Sequence, residues 1–286
     1  MIKKLKPTTP TRRHTVLIST RHLSNDKLPS HLVTSQKYSA GRSAGKISTR
    51  HKGGRVKRKY RVIDFKRDKY DVEGTIESLH YDPNRSAHIA LVKYIDGDKR
   101  LILATKNMKE GQKVVSGDEA PIEEGNAMPL KRIPSGSFVH NVELTKGQGG
   151  VLGRSAGAAI QKQGENGGYV QLKMPSGEIR LVKENNYATI GEVGNVQHTN
   201  RKLGKAGRKR KMGVRPTVRG VAMSWKHPHA GGQGKSGRVG TGGPPKTPWG
   251  KRQGVKTRKN KSTNKYIIKR RTTRRRPKVK KYRTIV

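Results

Sequence analysis

The chain has 286 residues, with 65 Lys and Arg against 19 Asp and Glu, a formal net charge of +46. That excess calls for a polyanionic partner, and nucleic acid fits better than a membrane surface because the basic runs lack an amphipathic apolar face. The absence of cysteine excludes a disulfide framework and cysteine-based zinc fingers, and no stretch approaches the roughly 20 apolar residues of a membrane span.

Apolar residues make up only 30 %, so only part of the chain is expected to hold a core. Residues 1–63 hold 17 basic residues and one acid, Asp26, for a net +16. The apolar run Val16-Leu17-Ile18 is short, and Pro7 and Pro10 would break the amphipathic helix of an organellar leader.

Residues 64–192 carry 18 basic and 18 acidic residues, a net of zero, and here strand periodicity emerges. Strands are predicted over 72–79, 89–95 and 101–103, the last two joined by Asp96-Gly97, and around Val114-Val115 and 138–144. Val170, Leu172 and Met174 alternate with Gln171 and Lys173, then Pro175-Ser176-Gly177 turns the chain toward Ile179 and Leu181, and a further run follows at 188–193. The best helix candidates are short, 156–162 and 201–211. The neutral centre is long enough for one sandwich or two small barrels, with a seam at 125–129, and is expected to fold by itself.

Residues 193–286 hold 30 basic residues and no acid, with 14 glycines and Pro216, Pro228, Pro244, Pro245, Pro248 and Pro277. This arm lacks periodicity and is not expected to fold alone. Glycine lets the backbone approach phosphates, and Lys and Arg release counterions when they neutralise them. Trp225, Trp249, Tyr266 and Tyr282 either stack on unpaired bases or anchor the arm on protein, and both readings stay open. The clusters 57–59, 208–211, 269–271 and 274–276 read as RNA contacts rather than solvated charge.

Three chemical motifs invite a catalytic or ligand-binding reading. His227 and His229 suit acid–base chemistry, yet no acid follows Glu192 to orient either, and Pro228 with Ala230-Gly231-Gly232 favours packing against RNA. With only His198, His227 and His229 in the acid-free arm, a closed tetrahedral zinc site lacks a fourth ligand there. Residues 147–153, GQGGVLG, lack the Lys-Ser/Thr ending of a phosphate loop and read as a turn.

Several motifs carry a family resemblance. Residues 41–67, Tyr81-Asp82-Pro83-Asn84-Arg85, Pro175-Ser176-Gly177-Glu178, residues 214–234, Thr247-Pro248-Trp249-Gly250 and Lys256-Thr257-Arg258 occur in order along almost the whole chain. Together they resemble the bacterial-type L-two family of large-subunit ribosomal proteins. The resemblance implies a mainly β fold: a basic N-terminal extension (1–63), an OB-like barrel (64–125), an SH3-like barrel (126–196) and a basic, Gly-rich C-terminal extension (197–286).

Family resemblance further implies a non-enzymatic role in a cytoplasmic ribosome, near the peptidyl-transferase region, in assembly, subunit association and tRNA binding. The partners it implies are large-subunit ribosomal RNA, neighbouring ribosomal proteins and small-subunit RNA at an intersubunit bridge, with no membrane. No cofactor is expected beyond magnesium ions associated with RNA.

Candidate RNA contacts in the first half are Arg42, Lys46, Arg50, His51, Lys52, Arg55, Lys57, Arg58, Lys59, Arg61, Lys66, Arg67 and Arg85. In the second half they are Arg201, Lys202, Arg208, Lys209, Arg210, Lys211, Arg215, Arg219, Trp225, His227, His229, Lys235, Arg238, Trp249, Lys256, Arg258, Arg270 and Arg271. The chain departs from the family pattern at Ser43-Ala44, at Arg55-Val56 and at Ser224-Trp225-Lys226, where the local loop path is expected to differ. Composition alone also admits a DNA-compacting protein with basic tails.

Overall fold

A computed structural model describes residues 2–224, 226–227, 246–252, 254–255 and 260–271. The fold is mainly β, with an OB-like and an SH3-like barrel. The chain divides into two compact units that cut across its charge zones: the larger takes residues 1–37, 57–205 and 263–286, the smaller 38–56 and 206–262.

In the larger unit, a four-stranded antiparallel sheet contains β1 (Gly74–His80), β2 (Ile89–Tyr94), β3 (Lys99–Leu103) and β4 (Lys113–Val114), in the order β4-β1-β2-β3. β1 buries alternate residues, as its sequence suggests, whereas β2 is buried on both faces. Ile76, Ala90, Val92, Tyr94 and Ile102 fill one side of the sheet. The other side is covered by the N-terminal segment, where Leu32 and Ile63 pack on Ile89, Leu91 and Leu101. The Asp96-Gly97 turn forms as expected, with Gly97 at φ +84° and its N–H donating to the Tyr94 carbonyl at 3.0 Å.

The second sheet contains β5 (Ala127–Pro129), β6 (Phe138–His140), β7 (Ile160–Asn166), β8 (Tyr169–Lys173), β9 (Ile179–Lys183), β10 (Tyr187–Ile190) and β11 (Ile267–Lys269). Their order is β5-β10-β6-β7-β8-β9-β11, every pairing antiparallel. Leu130, Val139, Ile160, Val170 and Leu172 are fully buried at its core. The Pro175-Ser176-Gly177 turn joins β8 to β9, with the Gly177 N–H donating to the Met174 carbonyl at 2.8 Å.

Two expected helices need correction. Residues 160–162 of the first candidate belong to β7, because Ile160 and Lys162 alternate inward and the segment pairs with both β6 and β8. Pairing outweighs the weak local preference of Ala156, Ala158 and Ala159 for helix. The second candidate is helical only over Ala206–Lys211.

Eight residues that read only as basic tail also acquire structure. Ser262–Tyr266 forms a turn of 3-10 helix and Ile267–Lys269 becomes β11, the outer strand of the second sheet.

Candidate nucleic-acid interface

The smaller unit holds 21 Lys and Arg and no Asp or Glu. It is built by pairing two basic segments that are remote in sequence. An isolated bridge joins Lys52 to Val214, and around it the N–H groups of Gly53, Val56 and Arg215 donate to the carbonyls of Gly213, Lys211 and His51, each at 3.0 Å. Backbone hydrogen bonds hold this unit where ion pairs cannot, because it contains no acid.

Gly213 is dictated by the geometry. Its φ is +89°, and a Cβ there would lie 2.8 Å from the Tyr38 Oη and 2.9 Å from the Arg55 Cβ. The same crowding brings the Arg55 guanidinium over the Tyr38 ring at 4.2 Å. Arg42–Ser43 and Lys46–Ile47 form a two-stranded hairpin whose Ala44-Gly45 turn has positive φ at both residues, so Arg42 and Lys46 stand exposed.

Of the residues expected to meet RNA, this unit gathers Arg42, Lys46, Arg50, His51, Lys52, Arg55, Arg208, Lys209, Arg210, Lys211, Arg215, Arg219, His227 and Trp249. Arg42, Lys46, Arg50, Lys52, Lys209, Lys211, Arg215, Arg219, His227 and Trp249 are exposed, and the other four are half-buried. Trp225, His229, Lys235, Arg238, Lys256, Arg258 and Tyr282 lie outside the described residues.

The larger unit carries Lys57, Arg58, Lys59, Arg61, Lys66, Arg67, Arg85, Arg201, Lys202, Arg270 and Arg271. Lys57, Lys59, Lys66, Lys202, Arg270 and Arg271 are exposed. Arg58 donates to the Pro83 carbonyl at 2.8 Å, and Arg85 pairs with Asp82. Arg67 is the exception. Only 3 % exposed, it donates to the Ser116 Oγ at 3.0 Å and the Gly125 carbonyl at 3.2 Å, so it is a core residue and not an RNA contact. Sequence position alone could not separate Arg67 from Lys66, its exposed neighbour.

One residue absent from the expected set belongs beside Arg85. The Arg154 guanidinium lies 4.5 Å from the Phe65 ring centroid and that of Arg85 5.4 Å from it. Arg154 is exposed and, among the described residues, pairs with no carboxylate. It directly follows the glycine-rich loop 147–153, whose arrangement explains its placement. The buried Glu143 carboxylate accepts the N–H groups of Gly147 at 3.2 Å and Gly149 at 2.8 Å, and Gly150 donates to the Phe65 carbonyl at 2.8 Å. Those amides are already satisfied within the protein, in keeping with a structural turn.

Two comparisons decide the family. Residues 29–116 match the family model described as Ribosomal Proteins L2, RNA binding N-terminal domain, and residues 123–250 match Ribosomal Proteins L2, C-terminal domain. The chain belongs to the ribosomal protein L2 family. The large ribosomal subunit protein uL2 of Shewanella sp. (strain ANA-3) is 53 % identical over 271 residues, which cover 94 % of this chain and 98 % of that one. Those of Shewanella oneidensis and Alcanivorax borkumensis are 52 % and 51 % identical over the same lengths.

For this L2 chain, the small unit draws on both family domains: residues 38–56 fall in the N-terminal match, and most of the remainder falls in the C-terminal one. Among the described residues no helix is long and apolar enough to cross a membrane. His227 is exposed in a segment without acids, so no carboxylate of its own unit can orient it.

Proposed function

We propose that this chain is a structural constituent of the large ribosomal subunit that binds ribosomal RNA without catalysing a reaction. The observation that carries this reading is the small unit, whose described residues hold 16 Lys and Arg and no acid. A phosphate backbone supplies the missing counter-charge, and its binding releases condensed ions. Membership of the L2 family adds the RNA and the particle.

On this reading Lys57, Lys59, Lys66, Arg85, Arg154 and Lys202 give the larger unit RNA contacts of its own. By analogy with the family, we place the protein near the peptidyl-transferase region of a cytoplasmic ribosome. There it supports assembly, tRNA binding and subunit association, touching neighbouring ribosomal proteins and small-subunit RNA at a bridge. No cofactor is needed beyond magnesium ions bound by the RNA. His227 and His229 serve as RNA contacts, and a His229→Ala variant is expected to match the wild type in showing no turnover.

Co-sedimentation tests the reading. The protein is expected in stoichiometric amount on large subunits and to stay bound through salt washing. Arg215→Ala and Arg219→Ala each weaken RNA association by about 1–3 kcal/mol through lost charge-assisted contacts. Ready loss on salt washing, or predominant crosslinking to chromosomal DNA in cells, would overturn it.

A further inference from the structure

Trp249 and Tyr266 are both aromatic residues of the C-terminal basic arm, but the structure treats them oppositely. Tyr266 is half-buried, its ring 6.1 Å from that of Tyr169 in the larger unit, so it anchors the arm on protein. Trp249 is 73 % exposed. One exposed apolar side chain is ordinary by itself, so the setting of this ring has to decide its role.

The chain around Trp249 is organised to present it. Lys246 and Arg252 are bridged, the Thr247 N–H donates to the Lys251 carbonyl, and the Gly250 N–H donates to the Thr247 carbonyl at 2.9 Å. The Thr247 Oγ1 accepts the Lys251 N–H at 3.2 Å, and Gly250 takes the positive φ of +77° that closes the turn. Trp249 therefore stands at the tip of a tight loop whose backbone bonds do not involve its indole. Arg50, on the other basic segment of the same unit, places its guanidinium 5.2 Å from the ring centroid. Lys246, Lys251 and Arg252 belong to the same loop and are all exposed.

Resting on the RNA-binding reading above, we propose that Trp249, backed by Arg50, is a stacking platform for an unpaired nucleobase of RNA. A flat π-face amid cations and no acids matches a base with its attached phosphates: the indole takes the base, the lysines and arginines take the backbone. An apolar protein surface would satisfy the ring but not Arg50 and the three cations of the loop. The Arg50 guanidinium lies against the indole, and a cation there favours the ring electrostatically.

The test uses the full chain labelled with 5-fluorotryptophan, the Trp249 resonance being assigned by its disappearance in Trp249→Phe. Two oligomers of equal length are added at the same salt concentration, one an unstructured RNA and one the same sugar–phosphate backbone without bases. The RNA is expected to move the Trp249 resonance through the ring current of a stacked base, and the abasic backbone to bind without moving it. In parallel, Trp249→Ala weakens RNA binding by roughly 5- to 150-fold, the range for one lost stacked base, leaves binding of the abasic backbone unchanged, and Trp249→Phe retains most of the affinity.

Equal shifts with both oligomers, or RNA binding with no shift, would overturn the platform and leave the RNA-binding reading standing. If neither oligomer binds, both fail. Equal losses with Trp249→Ala for RNA and abasic backbone would reduce Trp249 to a part of the fold.

Discussion

Single residues in this protein divide sharply between exposed cations and polar groups that fasten the core. His140 is fully buried with its Nδ1 2.9 Å from the Gly191 carbonyl, and burial pushes its pKa down to about 4. His88 is depressed to about 4 as well, by burial first and then by His22, whose ring lies 5.7 Å away. Both are neutral when folded and protonate near pH 6.5 when unfolded. Their stabilising contribution is therefore complete above that pH and declines as pH falls from about 6.5 to about 4, on the order of 3 kcal/mol for His140 across the window. Denaturant unfolding of wild type between pH 7 and pH 4 should show this slope, and a His140→Gln variant should flatten it.

Gly213 belongs to the same scale. An alanine there meets the Tyr38 Oη and the Arg55 Cβ below 3.0 Å in a backbone region unfavourable to side chains. Gly213→Ala is expected to destabilise the small unit by about 1–3 kcal/mol. Hydrogen exchange should then accelerate at Val56 and Arg215, while the amides of β2 keep their protection. That Gly213 mattered was not legible in a chain with 34 glycines, since composition does not say which of them takes a positive φ under a tyrosine.

Among the elements, the hairpins were the most legible. β2–β3 and β8–β9 carry both alternation and turn residues, two local signals that agree. The start of β7 was misread because the residues just before it are alanine-rich and its inward position at Lys162 looks polar. Yet Lys162 is 1 % exposed and reaches inward to the carbonyls of Leu130 and Ile133 and the carboxylate of Glu165. A buried, satisfied lysine hides a strand from any pattern built on apolar residues.

β11 was illegible for a different reason: three residues in a basic tail have no pattern until β9 offers an edge. Ile267→Pro removes a backbone donor from this outer strand. We expect faster exchange in β9 and concentration-dependent self-association in sedimentation as its edge opens. Unchanged exchange in β9 would show that β11 contributes nothing to the sheet.

At the scale of the molecule, charge was read correctly as unevenly distributed, and the structure shows how the uneven parts are used. The neutral centre was expected to fold alone, but Leu32 and Ile63 lie outside residues 64–192 and cover one apolar side of the first sheet. A 64–192 fragment exposes Ile89, Leu91 and Leu101, and loses β11 as well. It should be less stable than a fragment of residues 20–205 in thermal unfolding and more prone to aggregate. RNA affinity of the whole chain should fall steeply with salt, and neutralising substitutions in the small unit should make that slope shallower.

Sequence by itself determined the partition of charge, the period of most strands, the turn residues between them and the motifs of the L2 family. These are local properties, carried by neighbouring residues and independent of where the chain goes next. Only the tertiary structure decided that two basic segments form one body, that Arg67 is interior, and that Trp249 is open while Tyr266 is engaged. The first depends on contacts such as that from the Gly53 N–H to the Gly213 carbonyl, between residues remote in sequence. No local pattern encodes such a pairing, because its energy comes from backbone groups that every residue carries and that acquire partners only when the chain closes.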